Sequence, residues 1–120
     1  MYERSRNLLD CHIAGFTYYD GLDVINELKQ GVQVTLKSEP DNPYDPEAVS
    51  VYYGKTKLGY VPQVKNSFVS NLLYFGHDNI VEAIINKHDP EAHTEHQLRI
   101  VVKIKDIRKD ENEEWLGWNI

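Results

Sequence analysis

Glu39-Pro-Asp-Asn-Pro-Tyr-Asp-Pro-Glu-Ala-Val49 runs straight into Ala48-Val-Ser-Val-Tyr-Tyr53, and the reading of these two overlapping stretches decides the fold. Pro40, Pro43 and Pro46 each hold φ at about −65° and drive the preceding residue to extended geometry, so the first stretch is a rigid loop and not a helix. The second is β-branched and aromatic, the composition of a strand. The loop displays Tyr44 beside Asp45, and two uses fit that pair. A ring next to a carboxylate on stiff backbone can stack a flat group and accept a hydrogen bond from a hydroxyl beside it. Equally, Asn42 and Asp45 can be turn-formers that bond their own backbone, with Tyr44 plugging the end of a barrel.

On either side of this loop the strand signal dominates. Val32-Gln-Val-Thr-Leu-Lys-Ser38 alternates apolar and polar residues, as a strand with one face in a core requires. Ala48–Tyr53 and Leu58-Gly-Tyr-Val61, joined by Gly54-Lys-Thr-Lys57, predict a hairpin, with Pro62 ending its second strand. Upstream, Asp10 to Tyr19 alternates loosely and reads as a first strand bent at Gly15, closed by the turn signal Asp20-Gly21. Leu22, Val24, Ile25 and Leu28 recur at helical spacing before Gly31, enough for a helical turn or two.

Downstream, Phe68, Val69, Leu72, Leu73 and Phe75 lie between a possible cap at Asn66-Ser67 and a stop at Gly76, which predicts the best helix of the chain, sealing one end of the barrel. Asn79 to Lys87 is ambiguous in period, though its β-branched residues favour a strand. Gln97 to Ile107 alternates over a long strand solvated on one face. Asp110 to Glu114 is a charge run, and Trp115-Leu-Gly-Trp118 supplies two aromatics expected to pack on the sheet as a last strand. About six short, mostly antiparallel strands with one or two helices and no βαβ rhythm predict a mainly β fold, a small OB-like barrel.

With 120 residues the chain is expected to form a single domain over 1–120, with the C-terminal strands in 97–120. Its one cysteine, Cys11, rules out an internal disulfide and reads as a small core residue. The charged start, Met1-Tyr-Glu-Arg-Ser-Arg-Asn7, has no apolar run behind it, so the expectation is a cytoplasmic protein with no membrane association. A net charge of −6, from 19 acids against 13 bases, argues against broad phosphate neutralisation along duplex DNA but permits a small, end-directed site.

Asn42-Pro-Tyr-Asp45, Ala48-Val49, Gly59-Tyr-Val-Pro62 and the upstream Gly15-Phe-Thr-Tyr-Tyr-Asp-Gly21 together resemble the HIRAN domain, over a motif-bearing core of about 11–85. That module occurs at the N-terminus of Rad5-type and helicase-like transcription factor remodellers and as a free-standing bacterial protein. The resemblance implies a nucleic-acid-binding module that recognises single-stranded DNA or frayed 3′ ends in repair or replication-fork processing, with a repair or helicase protein as a further partner. By motif it implies a pocket of Tyr18, Tyr19, Tyr44 and Asp45, with Asn42, Pro43 and Tyr60 beside them and the Asp45 carboxylate meeting a 3′-hydroxyl. This chain departs from the remodellers where they carry basic residues: Thr17, Pro62 and Gln63 stand there instead. Lys55, Lys57 and Lys65 are the nearest replacements, Lys65 being counted in the site, and the expected phosphate grip is weak.

A second function class stays open: an acidic protein-interaction adaptor that does not bind DNA directly. Lysine and arginine around the tyrosines would favour nucleic acid; Asp20, Asp41 and Glu47 there would favour the adaptor. His88, Asp89, Glu91, His93, Glu95 and His96 are residue types that hold zinc, with His88, His93 and His96 the candidate ligands. Their spacing fits no helical HExxH arrangement, so no cofactor is expected, and metal-dependent hydrolysis would need this loop to fold onto the pocket. No phosphate-binding glycine loop, Ser-His-Asp or Cys-His pattern is present, and the chain reads as a non-enzyme with no means of hydrolysing ATP.

Overall fold

A computed structural model describes residues 4–93 and 96–108. Within them, β1 (Ser5–His12), β2 (Gln33–Ser38), β3 (Val49–Tyr53), β4 (Thr56–Tyr60), β5 (Val81–His88) and β6 (Leu98–Lys105) form one antiparallel sheet in the order β1-β6-β5-β2-β3-β4. One α-helix, α1 (Ser67–Tyr74), and an eight-residue 3₁₀ segment, Asp20–Glu27, complete the main elements. The fold is mainly β, as its alternating strands foretell.

β2 shows how one strand curves the sheet. Gln33 and Val34 pair with Ile84 and Ala83 of β5, whereas Thr35 to Ser38 pair with Tyr52 to Val49 of β3. Its inward residues, Val34 and Leu36, are buried, while Gln33, Thr35 and Lys37 are exposed. That period of two aims one face at a core shared with Ile13, Phe16, Leu28, Val49, Val51, Leu58, Ile85, Ile100 and Val102.

The sheet does not close into a barrel along a full strand. Its outer strands, β1 and β4, meet at a single bridge just past β1, where Ala14 N donates to Tyr60 O across 2.7 Å and Tyr60 N to Ala14 O across 2.9 Å. Gly59 permits that approach: its φ is +148°, and a Cβ there would lie 2.4 Å from the Ala14 carbonyl oxygen. The result is barrel-like and pinned at one point.

The first strand is shorter and earlier than its sequence suggests. It ends at His12, and the expected strand residues Tyr18 and Tyr19 lie on and just after a 3₁₀ turn, Phe16–Tyr18. Gly15, at φ 72°, turns the chain into that segment, and Phe16 drops into the core against Gly21, where a Cβ would lie 2.2 Å from the ring. Asp20-Gly21, expected to close the first strand, instead opens the 3₁₀ segment Asp20–Glu27. In the hairpin, the turn narrows to Gly54-Lys55, with Thr56 and Lys57 already in β4.

Helix α1 forms where expected, with Val69 and Ser70 buried and Leu73 packed on the core. Phe68 and Tyr74 of the helix, and Phe75 just past it, are by contrast exposed, because the helix turns only a narrow stripe to the core. The residues of the charge run and of Trp115 to Trp118 lie outside the described set.

Candidate functional site

Three segments converge beside the Ala14–Tyr60 bridge: the turn after β1, the proline-pinned loop between β2 and β3, and the link from β4 to α1. They line an open cleft of about 390 Å³, with Tyr19 and Ala14 from the first, Asn42 to Asp45 from the second, and Tyr60, Gln63 and Asn66 from the third. Tyr44 stands on its lip, 92% exposed, so it is no plug for the barrel end.

The loop's turn residues do act on their own backbone. Asn42 Oδ1 accepts from the N–H groups of Tyr44 at 2.8 Å and Asp45 at 3.1 Å, and Asp45 Oδ1 accepts from the Glu47 N–H at 2.9 Å. The other carboxylate oxygen, Oδ2, accepts from Asn66 Nδ2 at 2.9 Å. An ionised carboxylate offers about four lone-pair sites, so each Asp45 oxygen retains acceptor capacity.

Behind the aromatic wall lies a polar cluster that sequence reasoning passed over. Glu39 Oε1 accepts from the Tyr60 hydroxyl at 2.7 Å and from Asn42 Nδ2 at 3.1 Å, and Oε2 accepts from Lys57 Nζ at 3.1 Å. Lys57 also donates to the Tyr60 oxygen at 2.6 Å and lies over the rings of Tyr60 and Tyr19, 4.4 Å and 4.8 Å from their centroids. Tyr19 and Tyr60 meet edge to face at 5.8 Å. Burial is the largest influence on the Glu39 carboxyl and pulls its pKa up, but the hydrogen bonds from Tyr60, Asn42, Lys57 and Ser50 together outweigh it and hold the group below its ordinary value. Burial pushes the Tyr60 phenol up to about 12, so it stays a neutral donor.

Six of the eight residues singled out from the sequence therefore share one cleft: Tyr19, Asn42, Pro43, Tyr44, Asp45 and Tyr60. Tyr18 and Lys65 do not line it. Tyr18 is 83% exposed on its turn, and Lys65 Nζ donates to the Asp10 carbonyl at 3.0 Å. Of the two expected charge signatures, the tyrosines carry part of the first: Lys57 lies over the Tyr19 and Tyr60 rings, with its charge paired to Glu39. Among the described residues Asp45 is the sole charged one lining the cleft, and Asp20, Asp41 and Glu47 do not line it.

Glu39, Asn66 and Gln63 were not counted in the site beforehand. Glu39 lies inside the decisive loop, where a carboxylate between two turns reads as solvated, and Asn66 reads as a helix cap. A larger depression, of about 530 Å³, lies at the far end of β1 and β6 between Arg4, Leu8, Ile80 and Ile104, and none of the singled-out residues borders it. In the histidine loop, the His93 and His96 rings are 6.1 Å apart and His88 ends β5. Among the described residues no three His, Cys, Asp or Glu side chains are grouped as a metal ion requires.

A barrel-like antiparallel β-domain with a tyrosine-lipped cleft at the pinned corner of its sheet is the class that fold and site define. The HIRAN domain family model matches residues 7–105, and the chain belongs to that family. The match extends past the motif-bearing core to include most of β1 and all of β6. Among solved structures, a crystal structure of a protein from Lactobacillus plantarum is similar at 25% identity and a TM-score of 0.72, covering 85% of this chain and 96% of that one. The HIRAN domain of human HLTF is similar in fold, at 18% identity and a TM-score of 0.58, covering 94% of this chain and 85% of that one. No curated protein matches. Among the described residues no helix is long and apolar enough to cross a membrane.

Proposed function

We propose that this chain is a nucleic-acid-binding module that takes the 3′ end of single-stranded DNA, or a frayed 3′ end, in the cleft of Tyr19, Tyr44, Asp45 and Tyr60, in the repair or restart of stalled replication. The observation that carries the reading is the exposed Tyr44 ring standing next to an Asp45 carboxylate with acceptor capacity left, on a loop tied down at both ends. A ring so placed stacks on a terminal base, an interaction that contributes about 1–3 kcal/mol and tolerates any sequence. The acceptor beside it favours a free 3′-hydroxyl and repels a 3′-phosphate. Asn42 and Pro43 shape the cleft, and Tyr18 and Lys65, outside it, would meet the strand on the 5′ side of its last nucleotide. Among the described residues no cation lines the wall, so affinity is low and sensitive to the end group more than to salt.

The same lack of cations favours a second reading, an acidic adaptor docking a basic protein partner. Fluorescence-polarisation titrations of short oligonucleotides ending in 3′-hydroxyl or 3′-phosphate, with the wild type and Tyr44→Ala, decide between them. Tyr44-dependent binding that prefers the hydroxyl is expected. Identical curves for the two ends remove end recognition, and no binding at all leaves the adaptor.

A further inference from the structure

The Asn66 side chain is buried, with 2% of the residue exposed, and it stands at the N-cap of α1, where an asparagine ordinarily bonds the N–H groups of the first helical turn. Here it makes no such bond. Its backbone is already helical, at φ −90° and ψ −16°, and its carbonyl receives the Ser70 N–H at 2.8 Å. The amide instead reaches back 21 residues and donates to Asp45 Oδ2 at 2.9 Å. The helix start gives up a side-chain cap, and the recipient is a charged group lining the cleft.

We infer that Asn66 is a specificity-determining residue that acts through Asp45. The inference rests on the end-recognition reading above and deepens it. With Oδ1 held by the Glu47 N–H and Oδ2 by Asn66, the carboxylate is clamped from both sides and its plane is fixed. A single backbone donor would leave the group free to rotate about its Cα–Cβ bond. A fixed acceptor distinguishes a hydroxyl from a phosphate sharply; a rotating one turns away from the phosphate and blunts the distinction. Asn66 is a positioning residue, because it lines the cleft but works through its neighbour.

The test compares affinities for 3′-hydroxyl and 3′-phosphate oligonucleotides across a cycle of wild type, Asn66→Ala, Asp45→Asn and the double variant, with circular dichroism confirming the fold of each. Asn66→Ala is expected to lower the hydroxyl-over-phosphate preference by about tenfold, the scale of one charge-assisted hydrogen bond, while binding still depends on Tyr44. In the Asp45→Asn background the same substitution is expected to change the preference little, since its target is already neutral. Should Asn66→Ala prove unfolded, Asn66→Leu, which fills the buried site with a side chain of similar length but has no donor, is expected to produce the same loss. An unchanged preference in the folded Asn66 variant overturns the inference, as do additive effects in the cycle. A wild type with no preference between ends overturns the underlying reading instead.

Discussion

The hydroxyl of Tyr60 donates to Glu39 across 2.7 Å, which ties the end of β4 to the start of the proline-pinned loop 21 residues earlier in the chain. The bond lies between two half-buried side chains, and Asn42 and Lys57 also donate to the carboxylate. The loop is therefore held by a side-chain cluster as well as by its prolines, and this bears directly on how it responds to acid.

The folded Glu39 pKa lies below the ordinary 4.5, so its contribution to stability is complete above the unfolded value and is lost as pH falls through the folded one. Wild-type unfolding free energy is expected to drop more steeply than that of Glu39→Gln as pH is lowered from 5 to 3, in the region about the ordinary carboxylate pKa. At neutral pH, Glu39→Ala is expected to destabilise by about 1–2 kcal/mol, within the range for hydrogen bonds to a charged group. Urea denaturation of the three proteins across that pH range checks both statements, and parallel pH profiles would remove Glu39 as the acid-sensitive group.

Tyr44 is almost wholly exposed, and Tyr44→Ala is expected to leave the melting temperature unchanged to within a degree or so, as for most surface substitutions. Its expected effect is on binding alone, a loss of about 1–3 kcal/mol for a single-stranded end. A clear fall in stability would mean that the ring packs on the domain.

Gly59 sits where β4 meets the turn after β1, and Gly59→Ala drives a Cβ to 2.4 Å from the Ala14 carbonyl at a φ that disfavours any side chain. Breaking the bridge there is expected to destabilise by roughly 2 kcal/mol or more, combining backbone strain with overpacking. Thermal unfolding by circular dichroism measures this. The cleft opens beside the same bridge, so oligonucleotide affinity is expected to fall with it.

Cys11 is 1% exposed on β1, and burial pushes its thiol up to about 11. At pH 8 roughly one thiol in a thousand is ionised, so native protein is expected to react with iodoacetamide at least about a hundredfold more slowly than denatured protein. Mass spectrometry of timed quenches follows the single site. Rapid native alkylation would place β1 in fast local opening.

Much of this architecture is legible without coordinates. The alternation in β2 and β6, the hairpin and the limits of α1 follow from periods of two and 3.6, which are local consequences of which face is dry. The misreadings have one cause. The segment after His12 has strand-like composition, but the burial of Phe16 against Gly21 requires the chain to turn, and that contact joins two pieces the local pattern treats separately. Asn66 was misjudged for the same reason: its helix-cap position is written in the sequence, and its partner is not.

The order of motifs alone determined the family, the mainly β class and the stiffness of the loop bearing Tyr44 and Asp45, because proline geometry and alternating hydrophobicity act over a few residues. Tertiary structure decided which side chains share the cleft, that Tyr44 faces outward and that Asp45 is clamped by Asn66. Those outcomes depend on contacts between residues far apart in the chain, and they exist only once the curved sheet brings its two outer strands together.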